Sequence, residues 1–198
     1  MLPLYRPENS LRKKNRDRMF AKSFTDDMRC LDLLFGPDAM NYVSNDDKAR
    51  VPLGLAAANL QSPILMSLDY KVRLNDHDFA IGNRHKLIPS VYCECEIAPN
   101  GKVTYSGETF IRIRSGKHDT SNAYTHAFDM KELFSSGQLK RKPILVVETD
   151  GAADEAPRFP KTLSCAVSLF KSLKLDAFIH GVNASGLSAF NPGTYLLT

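Results

Sequence analysis

The sequence predicts an α/β fold on a mixed sheet, antiparallel at its start and parallel at its centre, with helices packed against it. Three observations predict this. Val91, Cys93, Cys95 and Ile97 alternate with Tyr92, Glu94 and Glu96, then run into Pro99-Asn100-Gly101-Lys102. That is a hairpin pattern, because Asn-Gly accepts the positive φ of a tight turn. Pro143 to Thr149 is a continuous aliphatic run, as a central strand buried on both faces requires. A helical pattern and a second buried strand, Ala177–Val182, complete the order.

The elements follow in chain order. Arg6, Arg12, Lys13, Lys14, Arg16, Arg18 and Lys22 face few acids, which predicts a basic, partly disordered leader over 1–24. Its sharper reading is a DNA-contacting or nuclear-import segment. A helix is expected over Asp26–Leu34, with Met28, Leu31 and Phe35 on one side and Gly36-Pro37 as its stop. Asn41–Asp47 reads as a strand, Val51–Gln61 as strand or loop, and Leu68–Leu74 as a strand before the charged turn Asn75–Asp78. In the hairpin, Val91, Cys93, Cys95 and Ile97 should be buried and Tyr92, Glu94 and Glu96 wet. The return strand takes in Val103–Tyr105 and Thr109–Arg114.

The next helix, Asn122–Phe134, would bury Ala123, Ala127, Met130 and Phe134, capped by Thr120 or Ser121. The last helix, Pro160–Lys174, starts on a proline tolerated in a first turn and would bury Leu163, Ala166, Val167 and Phe170.

Composition excludes several classes. With 198 residues, 43% hydrophobic and 24% charged, the chain is globular and sized for one domain. A net charge of +4 and a pI near 8.8 are compatible with a nucleic-acid partner without requiring one. No apolar run has transmembrane length and no signal peptide opens the chain, so the expected location is nucleus or cytoplasm, not secreted and not membrane-bound. Cys30, Cys93, Cys95 and Cys165 form no CxxC pair and read as reduced core cysteines. His77, His85, His118, His126 and His180 lack metal-site spacing and read as surface or hydrogen-bonded residues, His180 in a buried strand. A nucleophile elbow and a Gly-rich phosphate loop are both missing, which argues against that hydrolase class and against nucleotide-fuelled chemistry. Arg112, Arg114, Lys117 and Lys140-Arg141-Lys142 offer either a phosphate-contacting flank or a solvated surface.

Two acids stand out by position. Asp46 closes the first strand and Asp150 closes the central one. Carboxylates at the ends of adjacent strands repel unless a cation lies between them, so such a pair points to a divalent metal and phosphoryl transfer. Taken singly, each aspartate reads first as an ordinary turn residue, Asp150-Gly151 above all, and it is the combination with the element order that points to a site.

At these residues the chain resembles a known family. Ser44–Gly54, with Asp46-Asp47-Lys48 inside it, resembles the first-aspartate strand of cut-and-paste DNA transposases of the DDE/DDD superfamily, which includes mariner elements and retroviral integrases. Val146–Gly151 followed by Asp154–Pro160 is similar to the second-aspartate strand and the turn into its helix. Asp76–Phe79, His85–Tyr92 and Asn183–Asn191 resemble transposon-derived proteins of animal genomes. The likeness covers about Gly36 to Asn191 and implies a ribonuclease-H-like mixed sheet over 25–191 with a divergent tail at 192–198.

The resemblance implies further that Asp46 and Asp150 are catalytic residues and ligands of Mg²⁺ or Mn²⁺, with Asp47 a lesser candidate. It implies DNA as partner and is compatible with a homodimer. It also implies a third Asp or Glu on a helix after the last strand. Here no acid follows Asp176. The expectation is a core incomplete at its C-terminus, with little or no strand-transfer activity. The alternatives are a non-catalytic DNA-binding remnant, or an unrelated α/β protein with no phosphoryl-transfer role.

Overall fold

The computed structural model describes residues 17–47, 50–52, 85–104, 107–151 and 155–183. The expectations for residues 1–16, 53–84 (the strand at Leu68–Leu74 among them) and 184–198 lie outside these. Helix α1 spans Arg18–Phe35, beginning earlier than the Asp26 expected, and Gly36 at φ 87° ends it. Strand β1 is Met40–Asp47 and β2 is the short Val51–Pro52. Strand β3, Lys86–Glu94, leads through β4 (Glu96–Ile97) and β5 (Val103–Thr104) into β6, Thr109–Ser115. Then come α2 (Ala123–Ser135), β7 (Ile144–Thr149), α3 (Pro160–Ser172) and β8 (Ala177–Val182).

The hairpin forms as the sequence predicts. Gly101 takes φ 74°, Ala98 and Lys102 close the turn, and β4 pairs with β5 beyond it. β6 returns antiparallel along β3, from Cys93↔Thr109 to Leu87↔Ser115. β3 is antiparallel to β1, β1 is parallel to β7, and β7 is parallel to β8. The order across the sheet is β6, β3, β1, β7, β8, with β2 beside the start of β3. An antiparallel trio followed by two parallel strands, with β1 in the middle, is a ribonuclease-H-like sheet.

Strand alternation divides the core into two layers. On one face Val43, Tyr92, Leu145 and Val147 pack against Met130, Leu133 and Phe134 of α2 and Leu169 of α3. On the other, Met40, Tyr42, Cys93, Cys95 and Val146 pack against Met28 of α1. Because both faces are covered, the expectation of a wet Tyr92 fails: its side chain is buried, and the outer layer over it is α2. Asn41, also buried, anchors the approach to β7 by donating to the Lys140 carbonyl and accepting from the Lys142 amide.

The helices match in extent better than in orientation. α2 buries Ala123, Met130 and Phe134 as expected, but its cap is Asn122, whose side chain accepts from the Tyr124 and Thr125 amides in a capping box. α3 starts on Pro160 as predicted, yet its buried residues are Thr162, Cys165 and Leu169. Leu163, Val167 and Phe170 point outward. The apolar residues of this helix make two stripes, and the inner one contains a threonine and a cysteine that the sequence disguises. Phe35 of α1 is likewise exposed, while Met28 is buried. Cys93, Cys95 and Cys165 are free, buried thiols, as expected, and Cys30 is free and exposed. Among the described residues, no helix is long and apolar enough to cross a membrane.

Candidate functional site

Asp46 is the penultimate residue of β1, and Asp150 directly follows β7. The two strands are parallel neighbours, with Ser44 opposite Glu148. Two residues further along each chain, Asp46 and Asp150 therefore reach the same C-terminal edge of the sheet. Both are half-buried. The turn after Asp150 depends on Gly151, at φ 77°, where an added Cβ would collide with the Val182 side chain. Asp47, the lesser candidate, pairs across the sheet with Ser90, and its side chain goes to the α2 face. Among the described residues, no group of three or more His, Cys, Asp or Glu side chains is arranged to hold a metal ion.

The same strand edge holds a carboxylate that the sequence reading passed over. Glu148 lies inside the aliphatic run of β7 and is 1% exposed. It accepts from Arg29 of α1 (Nη2 to Oε2, 3.2 Å), from Asn183 Nδ2 at 2.9 Å, and from the Tyr42 hydroxyl. Burial pushes the Tyr42 phenol pKa up, and the Glu148 charge pushes it further. Burial works against the Arg29 charge, but Tyr42 and Glu148 outweigh it and hold its pKa above the ordinary value. An acid in the middle of Ile144–Thr149 was the available signal, since a strand buried on both sides can carry a charge only beside a partner.

On the opposite face a second polar network ties α2 to the sheet. His126 Nε2 lies 3.4 Å from Asp47 Oδ2 and 2.9 Å from the Ser121 hydroxyl, and its Nδ1 is 2.9 Å from the Tyr92 hydroxyl. Tyr92 also donates to Asp129 at 2.7 Å, and Arg114 bonds both Asp129 and Ser90. Burial opposes ionisation of Asp47, but hydrogen bonding and charge from His126, with Ser121 and Ser90, bring its pKa below the usual carboxylate value. Behind this network a cavity of about 50 Å³ is lined by Asn45, His126, Thr149, Glu155 and His180, among mainly apolar neighbours. That is room for one or two waters.

No known protein-family profile matches the chain, and no curated protein sequence matches it either. Solved structures similar to this chain include two complexes. The Mos1 strand transfer complex aligns at 12% identity and TM-score 0.46, over 94% of this chain and 48% of that one. The Mos1 mariner paired end complex with Mn aligns at 12% identity and TM-score 0.45, over 94% and 49%. The chain thus spans about half the length of the chains it matches. The likeness concerns fold alone.

The basic residues considered for phosphate contact divide sharply. Arg114 is buried and serves Asp129, so it offers nothing to a phosphate. Arg112 pairs with Glu132 at 3.0 Å, Arg141 donates to the Leu173 carbonyl at the end of α3, and Lys142 lies 3.8 Å from Glu94. Lys117 and Lys140 are exposed.

Proposed function

We propose that this chain is a transposon-derived, ribonuclease-H-like core related to enzymes that cut and join DNA strands, with Asp46 and Asp150 as ligands of Mg²⁺ or Mn²⁺. One observation carries this reading: the parallel register of β1 and β7, which brings two half-buried aspartates to one edge of the sheet. Carboxylate oxygens are the donors that hard divalent cations prefer, so these residues suit Mg²⁺ and Mn²⁺. A divalent ion bound there supplies charge stabilisation for phosphoryl transfer and a nucleophile at neutral pH. The chain's own part is positional. β1 and β7 fix the spacing of the two carboxylates, and Gly151 turns the backbone away immediately after Asp150.

DNA binding without chemistry is the second reading. It is favoured by the exposed Lys117 and Lys140, but Arg114, Arg141 and Lys142 are engaged within the protein. Titrating the full chain with Mn²⁺, followed by electron paramagnetic resonance, separates the two. Binding that weakens in Asp46→Asn and in Asp150→Asn supports the metal-site reading. Salt-sensitive DNA binding, indifferent to metal and to both substitutions, supports the second. Binding of neither metal nor DNA removes both and leaves an α/β protein of other function. Nicking of plasmid DNA by the same preparations reports whether strand cleavage persists.

A further inference from the structure

Cys93 and Cys95 are two buried thiols that the reading above does not use, at 2% and 5% exposure. Residues two apart on a regular strand stand about 6.6 Å from one another. These two sulfurs are only 3.8 Å apart. The ladder is interrupted between them: β3 ends at Glu94 and β4 begins at Glu96, so Cys95 belongs to neither. Its amide donates to the Tyr42 carbonyl at 2.7 Å, while the Glu94 amide donates to the Glu108 carbonyl at 2.9 Å. The dithiol therefore marks the joint between the main sheet and the β4–β5 hairpin, on the face that packs against Met28 of α1.

The two thiols are not equivalent. Cys95 Sγ donates to Cys93 Sγ, and the Thr109 hydroxyl donates to the same sulfur at 3.8 Å. Hydrogen bonding from Cys95, helped by Thr109, favours the Cys93 thiolate; it outweighs burial and holds that thiol below its ordinary pKa. The bond to Cys93, and then burial, push the Cys95 thiol up. Thr109 is exposed and stands opposite Cys93 on β6, so Cys93 lies one residue in from solvent.

We propose that Cys93 and Cys95 form a redox site that a peroxide converts to a disulfide, Cys93 attacking and Cys95 resolving. The Cys93 sulfur attacks a peroxide oxygen. An S–O bond forms, the O–O bond breaks, and hydroxide leaves as water with the Cys93 proton. The Cys95 sulfur then displaces oxygen from Cys93. An S–S bond forms, the S–O bond breaks, and hydroxide leaves as water with the Cys95 proton. The thiol pair gives up two electrons and the peroxide takes them. The sulfurs must close from 3.8 Å to about 2.05 Å, and the break in the ladder at Cys95 is where the backbone can yield. Neither step involves Asp46 or Asp150.

The test uses the full chain carrying Cys30→Ser, which removes the exposed thiol, with hydrogen peroxide as probe under native conditions. The intact mass should fall by two hydrogen atoms. Alkylation after acid quenching and unfolding should label Cys165 alone, and a dithiol reductant should restore labelling of Cys93 and Cys95. In the same background, Cys95→Ser should stop at the Cys93 sulfenic acid, captured by dimedone, and Cys93→Ser should form neither sulfenic acid nor disulfide. Two thiols that stay reduced overturn the proposal, as does a gain of oxygen atoms without loss of hydrogen. A disulfide that forms only in denaturing urea belongs to the unfolded chain and overturns it equally. Sulfenic acid in Cys93→Ser but not in Cys95→Ser overturns the assignment of roles. Should a serine variant fail to fold, the Cys30→Ser chain still decides, because its mass and labelling require neither.

Discussion

The Tyr92 hydroxyl on β3 donates to Asp129 Oδ2 on α2 at 2.7 Å, joining the sheet to its covering helix through a buried hydrogen bond. Arg114 neutralises the same carboxylate, so the pair belongs to a charged unit enclosed between layers. Tyr92→Phe removes one donor and should cost about 1–2 kcal/mol. Arg114→Met leaves Asp129 buried without its cation and should cost about 3–5 kcal/mol. Urea denaturation of the two variants checks the order; a smaller loss for Arg114→Met would mean that the Arg114–Asp129 pair does not hold the two layers together.

The two apolar stripes of α3 should answer differently to truncation. Leu169 is 7% exposed within the core shared with Val147 and Met130, and Leu163 is 56% exposed. Leu169→Ala should lose about 2–5 kcal/mol, and Leu163→Ala less than about 0.5 kcal/mol. Comparable losses would show that the outer stripe is covered in solution.

Gly151 and Gly137 both take positive φ, but only Gly151 has a side chain in the way of a Cβ. Gly137→Ala should therefore cost about 1 kcal/mol, the conformational penalty alone. Gly151→Ala must also displace Val182 and should cost about 2–3 kcal/mol. Since it would move the backbone beside Asp150, Mn²⁺ affinity should fall with it, whereas Gly137→Ala should leave that affinity alone. Thermal melts and metal titration together check both halves.

His180 gives a pH dependence. Burial lowers its pKa to about 4, and its Nε2 lies 3.2 Å from the Thr149 hydroxyl. The folded state thus holds a neutral ring, while the unfolded chain takes up a proton near the ordinary value of about 6.5. Stability from this group is complete above about pH 6.5 and is lost as pH falls towards 4. The loss should be on the order of 2 kcal/mol, reduced by the partial exposure of the strand. Replacing it with Gln should flatten that part of a stability–pH curve measured by urea denaturation; an unchanged curve would place the lost protonation elsewhere.

Much of this architecture is legible in the residues. Ile144–Thr149 and Ala177–Val182 announce buried strands by aliphatic content, and Asn100-Gly101 announces the hairpin, because these signals are local. The pattern failed where burial depends on which neighbour covers a residue. Tyr92 occupies a position that alternation assigns to solvent, yet α2 lies over it. Leu163 and Val167 have the apolar character of core residues, yet Thr162 and Cys165 take the inner positions of α3. For the candidate site, Asp46 and Asp150 could be picked out because each stands at a strand end. The pairing of Glu148 with Arg29 could not, since it joins residues far apart in sequence and depends on where α1 docks. Arg114 was considered for phosphate contact for the same reason: its partner, Asp129, lies on a helix whose orientation no local pattern specifies.

The parallel pairing of β1 with β7 has a kinetic meaning. The hairpin of β3 with β6, and the α2 cap at Asn122, involve neighbours along the chain and can form early. β1 and β7 pair residues far apart in sequence, so their closure carries a larger entropic cost than that of the hairpin. Among the described strand pairings this one joins the segments most distant in sequence, so the edge that carries Asp46 and Asp150 depends on the costliest closure in the sheet.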